Sequence, residues 1–305
     1  MIIDIVDINL ETLKPYLLEP KYTDLSIHEE GYIWCKSFGG YWERIENQNI
    51  TKIYLQGLFR LIAIECNKEI NDIDNFRENL DIKLNDEIHR ANIIFGKSKK
   101  AGFGITIRLK RNHEISLDDF IIEESDKKKI IQCVKDEKNI LISGGIGTGK
   151  TTFLNSLLKY VSNKENKRII TVENASEINL SDFPHNYPFI YEAETEEHVF
   201  EVFNDCLRSS PDILILGEIR KENAKVFLNF INAGHDGTFS TVHASSPMRA
   251  LTTIANYITS QHQNEKKEAI RDELELGLSC VIQLKKTYEN GKPQVMVSQV
   301  EYFGD

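Results

Sequence analysis

The run Gly144-Gly-Ile-Gly-Thr-Gly-Lys-Thr151 limits this chain more than any other stretch, because it satisfies G-x-x-x-x-G-K-[ST] in full. The apolar residues 139–143 precede it and the helix-like residues 152–159 follow it, so one segment reads as strand, phosphate loop and helix. The glycines let backbone N–H groups from Gly144, Gly145, Ile146, Gly147, Thr148 and Gly149 curl around an anion, and the helix N-terminus at Thr151 and Thr152 adds partial positive charge. Lys150 brings a full charge to the β- and γ-phosphates of a nucleotide, and Thr151 supplies a hydroxyl for Mg²⁺.

With 305 residues the chain is long enough for two cores, and a phosphate loop near its middle implies a domain ahead of it. Lys plus Arg number 37 against 47 Asp plus Glu, a net charge of −10, which argues against broad electrostatic adhesion to nucleic acid. The five cysteines, Cys35, Cys66, Cys133, Cys206 and Cys280, are scattered without a C-x-x-C pair and read as reduced core residues. No apolar run approaches the roughly 18 residues of a membrane span, and the first residues lack the basic flank of a signal peptide. The expectation is a cytoplasmic protein, or one peripheral to a membrane through a partner.

Residues 1–122 mix short alternating runs with helical spacing, as in a small α+β domain. Strand character falls at 24–28, 32–36, 41–45, 81–84, 90–95 and 104–109, and a helix at 50–67. The charged stretch 123–138 reads as a linker running into a helix that Ser125 caps. From 139 to 305 strands alternate with helices. The expected strands are 168–172, 212–216 and 238–242, the helices 195–209, 221–233 closed by Gly234, and 247–260 opened by Ser246-Pro247; a final hairpin, 279–284 with 294–302, turns near Asn290-Gly291. The fold class is α/β: a P-loop domain with a mainly parallel sheet, preceded by the smaller α+β domain.

Hydrolysis needs more than a phosphate loop. It takes a carboxylate for metal or water, and cationic groups for the developing charge. Glu173 and Glu218 each follow an expected strand, where ligands of open α/β sheets sit, and Gly217 lets the backbone approach closely beside Glu218. His243 ends a third strand, and reads either as a γ-phosphate sensor or as a core histidine bonded to a neighbouring loop. Arg108, Arg111, Arg208 and Arg220 are candidate charge donors that spacing alone does not rank.

Residues 145–154, 171–178, 206–220 and 234–244 resemble, in order and spacing, the Walker A, Asp, Walker B and His boxes of secretion ATPases. Within that superfamily the chain is most similar to the traffic ATPases of type IV secretion systems, the eleventh VirB component, and residues 23–27, 31–34 and 105–108 echo their N-terminal domain. The resemblance implies a RecA-like ATPase forming a homo-hexamer, with ATP and Mg²⁺ as cofactors. Lys150 and Thr151 would hold phosphate and metal, Glu173 and Glu218 serve metal and water, and His243 sense the γ-phosphate. Arg108, with Arg111, would reach toward the phosphates from the N-terminal domain. It further implies inner-membrane components of a secretion apparatus, coupling ATPases and secreted substrates as partners, and peripheral association with the inner membrane. Three departures stand out: Asn174 where the family usually has Asp, Asn232-Ala-Gly-His235 where Thr commonly follows Asn, and Lys285-Lys286 where relatives often carry Arg. A pilus-assembly or type II secretion ATPase, and a RecA-like nucleic-acid translocase, are the alternatives.

Overall fold

The fold is that of a computed structural model, which describes residues 2–4, 11–37, 40–65, 77–84, 87–96, 102–109, 115–191, 196–232, 234, 236–262, 264–289 and 292–304. It divides into two compact units, Met1–His113 with Asn290–Pro293, and Glu114–Glu289 with Gln294–Asp305. The second unit thus begins at Glu114, ahead of the boundary near 122 that the composition suggests.

In the first unit the strands are β1 (Ile2–Asp4), β2 (Tyr22–Ile27), β3 (Tyr32–Ser37), β4 (Trp42–Glu46), β5 (Arg77–Leu84), β6 (Glu87–Phe95) and β7 (Phe103–Arg108), with helices α1 (Lys14–Leu17) and α2 (Lys52–Glu65). The sheet order is β1-β5-β6-β7-β2-β3-β4. All its pairings are antiparallel except that of β1 with β5. Leu55, Leu58, Phe59 and Ile62 recur at helical spacing on α2 and are buried with Leu25, Ile33, Ile93 and Ile105 from the strands, so one apolar face of each element closes a single core.

The second unit holds β8 (Ile140–Gly144), β9 (Ile169–Glu173), β10 (Asn186–Ile190), β11 (Ile213–Ile219), β12 (Thr238–His243), β13 (Cys280–Glu289) and β14 (Lys292–Tyr302). Its helices are α3 (Glu124–Lys135), α4 (Lys150–Leu158), α5 (Glu196–Arg208), α6 (Ala224–Asn232), α7 (Pro247–Gln261) and α8 (Lys267–Gly277). The sheet order β10-β9-β11-β12-β8-β13-β14 is parallel from β10 through β13. Its central strands β8, β9, β11 and β12 are buried on both faces along nearly their whole length, as a covered parallel sheet requires. Ile140, Ile142, Ile213, Ile215 and Ile282 join Phe153 and Leu157 of α4 on one side, while Leu141, Leu214, Leu216 and Val281 join helices α5 to α8 on the other.

Two local expectations change. Ser125 does not cap α3: the N-cap is Glu123, without a side-chain bond, and Glu124 and Asp126 place negative charge on the helix's positive end instead. The stretch 123–138 is therefore mostly helix, packed into the core through Ile130 and Val134. At α7 the expected start holds, with the Ser246 side chain accepting from the Arg249 N–H at 3.3 Å and Pro247 in the first turn. Of the cysteines, Cys35, Cys206 and Cys280 are buried and Cys133 is half-buried, all as free thiols; Cys66 and the Asn290-Gly291 turn lie outside the described residues. Among the described residues no helix is long and apolar enough to cross a membrane.

Candidate functional site

Parallel pairing aligns the C-terminal ends of β8, β9, β11, β12 and β13 along one edge of the sheet, and β8 runs there directly into the loop 144–149. Gly147 and Gly149 have φ of +64° and +76°, the left-handed region that costs other residues energy. A Cβ on Gly144 would fall 2.5 Å from Thr148 Oγ1, which itself donates to the Gly145 carbonyl at 2.9 Å, so the loop closes on itself only with glycine there. Gly149 is the N-cap of α4 and carries no capping side chain, leaving the helix N-terminus to a ligand. Thr151 and Thr152, in the first turn, are half-buried, and Ile146 at the loop tip is 87% exposed.

The Lys150 ammonium is buried beneath this loop. It donates to the Gly144 carbonyl at 3.3 Å, to the Gly145 carbonyl at 3.2 Å and to His243 Nδ1 at 3.0 Å. His243, opposite Gly144 in the β12–β8 register, places Nε2 2.7 Å from Glu218 Oε1. Only one tautomer of the neutral ring satisfies both ends: Nε2–H donates to Glu218 and Nδ1 accepts from Lys150. The other Glu218 oxygen accepts from Arg220 Nε at 2.8 Å and Nη2 at 2.7 Å. A cation, an imidazole, a carboxylate and a guanidinium thus form one continuous chain of hydrogen bonds.

A bulge aims Glu218. Between Leu216 and Ile219 the β11–β12 register slips by one residue, which turns the strand end toward His243. Asn223 braces the turn beyond: its Oδ1 accepts from the Arg220 N–H at 2.8 Å and its Nδ2 donates to the Glu218 carbonyl at 2.9 Å. Sequence reasoning missed Asn223, whose side-chain bonds reach back to the strand end and not forward into α6. Glu173 is 4% exposed, and its Oε1 accepts from the Glu177 and Ile178 N–H groups at 2.8 and 2.9 Å. Gly217 packs flat against it: a Cβ there would meet Glu173 Cγ at 3.2 Å.

Burial, then the charge of Lys150, hold the His243 pKa below its ordinary 6.5, outweighing the opposite pull of Glu218. The ring is therefore neutral at pH 7. Since its folded pKa is depressed, the stability His243 contributes is complete above the unfolded value and is lost as pH falls through the folded one. An NMR titration of the His243 ring is expected to give a midpoint below 6.5, moving up in Lys150→Ala and further down in Glu218→Gln. A wild-type midpoint above 6.5 contradicts the assignment.

The remaining arginines fare differently. Arg208 closes α5 just before the N-terminal end of β11, its side chain 82% exposed and 4.0 Å from Asp205. That is the sheet edge opposite the loop, so within this chain the candidate charge donor Arg208 stands away from the phosphate loop. Arg220 belongs to the site through Glu218. Arg108 ends β7 in the first unit, exposed and 3.9 Å from Asp24. Arg111 lies outside the described residues.

The glycine cradle, the open helix N-terminus and the lysine beneath fit a nucleotide's phosphates. Among the described residues no group of three or more His, Cys, Asp or Glu could hold a metal by itself. Such a site on such a sheet defines a P-loop nucleotide-binding ATPase of RecA-like fold.

The sequence profile of the type II/IV secretion system proteins matches residues 93–289. The chain belongs to that family. It is 23% identical over 332 residues to the type IV secretion system protein VirB11 of Brucella suis, covering 97% of this chain and 90% of that one. The crystal structure of that VirB11 ATPase superposes with a TM-score of 0.52, covering 96% and 93% of the two chains. The conjugal transfer protein TrbB of Rhizobium radiobacter is 28% identical over 184 residues, which span 59% of this chain and 56% of TrbB. The ATPase DotB of Legionella pneumophila shares the fold with a TM-score of 0.70 at 15% identity, over 100% of this chain and 85% of that one. Within its family the chain is a VirB11-like secretion ATPase.

Proposed function

We propose that this chain hydrolyses ATP within a homo-hexamer, and that the resulting motion of its two units energises a type IV secretion or conjugation apparatus. The observation that carries this reading is the Lys150–His243–Glu218 chain, which ties the phosphate loop to a carboxylate at the neighbouring strand ends. Lys150 and the loop N–H groups bind the β- and γ-phosphates. Thr151 and Glu173, with Glu218, would hold Mg²⁺, which would draw charge from the phosphate oxygens. Glu218 orients the attacking water and takes its proton as the bond from water oxygen to the γ-phosphorus forms and the bond to the ADP oxygen breaks. His243, neutral and hydrogen-bonded at both nitrogens, reports whether Lys150 is engaged by phosphate or by the loop. Arg220 keeps Glu218 in position.

The first unit acts as the N-terminal domain and the second as the ATPase domain. Arg108 supplies charge to the phosphates, in its own subunit or a neighbour's. The protein works in the cytoplasm at the inner membrane with secretion components, coupling ATPases and secreted substrates as partners. The net charge of −10 is what disfavours the nucleic-acid translocase as the alternative.

Purified protein is expected to hydrolyse ATP and to elute as a hexamer with a non-hydrolysable ATP analogue. Arg108→Ala is expected to lose about 10³-fold in turnover with nucleotide affinity little changed. Wild-type protein without ATPase activity overturns the reading. Full activity in Arg108→Ala removes only the part assigned to that arginine.

A further inference from the structure

Strand β13 runs past the end of β8. Cys280, Val281, Ile282, Gln283 and Leu284 lie level with residues 140–144 in the parallel register, and the strand continues to Glu289. Its side chains alternate between the sheet's faces. Cys280, Ile282 and Leu284 pack with Phe153, Leu154 and Leu157 of α4, whereas Val281 packs in the core on the other face. The same period sends Lys286 to the α4 side, at a level where β8 has given way to the phosphate loop. Lys285 goes to the opposite face and is exposed.

The contact follows from that register. A Cβ built on Gly147 would stand 3.5 Å from Lys286 Nζ, and Gly147 is the loop residue with φ of +64°. Lys150 holds the other side of the loop through the Gly144 and Gly145 carbonyls. Two ammonium groups therefore flank one short loop at the positive end of α4, in a chain with a net charge of −10. An anion lying on the loop would meet both. Lysine suits this position: it is a point charge on a flexible stem that can follow phosphate oxygens without a fixed bidentate geometry.

We infer that Lys286 is a second phosphate-binding cation of the nucleotide site, supplied in cis by β13. The inference rests on the nucleotide reading above.

Dissociation constants for ADP and for ATPγS, measured with fluorescent analogues, test it in wild type, K286A, K286R, K285A and K150A. K286A is expected to bind about tenfold more weakly, about 1.4 kcal/mol, with a shallower salt dependence; K286R recovers most of the loss and K285A stays within twofold of wild type. If K286A has a lowered unfolding midpoint without nucleotide, K286Q, which keeps a polar stem without the charge, decides by the same threshold. Binding by K286A or K286Q within twofold of wild type, while K150A is weakened, overturns the inference and leaves the nucleotide site standing. A wild type that binds neither nucleotide overturns both.

Discussion

Lys150→Ala is expected to abolish ATP hydrolysis while the protein stays folded. In wild type the ammonium holds two loop carbonyls and His243 together, and phosphate oxygens must draw it from those partners. Alanine leaves the glycine backbone in place but removes the only side-chain charge under the loop that points at the phosphates from within α4. Removing one preorganised charge donor from a transition state lowers turnover by about 10²–10³ or more. The cost to stability is limited, because the hydrogen bonds lost to Gly144, Gly145 and His243 are each worth about 1 kcal/mol net and the loop is exposed around Gly145 to Gly147. The unfolding midpoint is expected to fall by no more than about 12 °C. Turnover near normal with unchanged circular dichroism refutes the role given to Lys150.

Glu218→Gln carries the second large effect. The amide keeps the size of the carboxylate but cannot accept the proton of water, and turnover is expected to fall by about 10² or more with ATP still bound. The geometry adds a particular. Glu218 uses one oxygen for His243 and the other for Arg220, and glutamine has only one oxygen to offer. With that oxygen on the cationic Arg220, the amide N–H₂ faces His243 Nε2 and forces the proton onto Nδ1. Nδ1 then opposes Lys150 donor to donor, so the lysine loses one of its partners. The ¹⁵N shifts of His243 would report the changed tautomer. Turnover within fivefold of wild type would make Glu218 a structural residue.

Sequence and structure agree where a single segment carries its own signal. The run ending at Ser143, the glycines after it and the apolar helix behind them predict β8, the loop and α4 to within two residues. Strands β9, β11 and β12 are nearly as plain: β9 and β11 are largely apolar, as covered parallel strands are, and β12 is rich in β-branched and aromatic residues, although β11 runs on to Ile219. Strand β10 was not legible: four of its five residues are exposed and Pro188 lies within it, which only an edge position tolerates. Helix α8 was hidden for a related reason, since Ile270 and Leu274 are its only fully buried positions in a charged sequence. The strand expected at 279–284 continues to Glu289 beside β14, and that extension is what brings Lys286 to the loop.

Within the site, sequence named Lys150 from the phosphate-loop motif and Glu173, Glu218 and His243 from their places at strand ends. It could not show how three of them join. The link depends on the one-residue bulge in β11 and on which strands lie side by side, and neither leaves a local pattern. Arg208 shows the converse: an arginine beside a motif in sequence stands at the far edge of the sheet in space.

The strand that bears the phosphate loop has no sequence neighbour beside it. Ile140 of β8 pairs with Phe239 and with Cys280, so both flanks of that strand arrive only after most of the unit has been synthesised. Contacts this distant along the chain form late, because the loops they close must be ordered first. His243 and Lys286 come in on those two late flanks. A partly folded or truncated chain can therefore carry the complete glycine motif and still lack the groups around it, and competence toward nucleotide becomes a property of the finished sheet, acquired in one step.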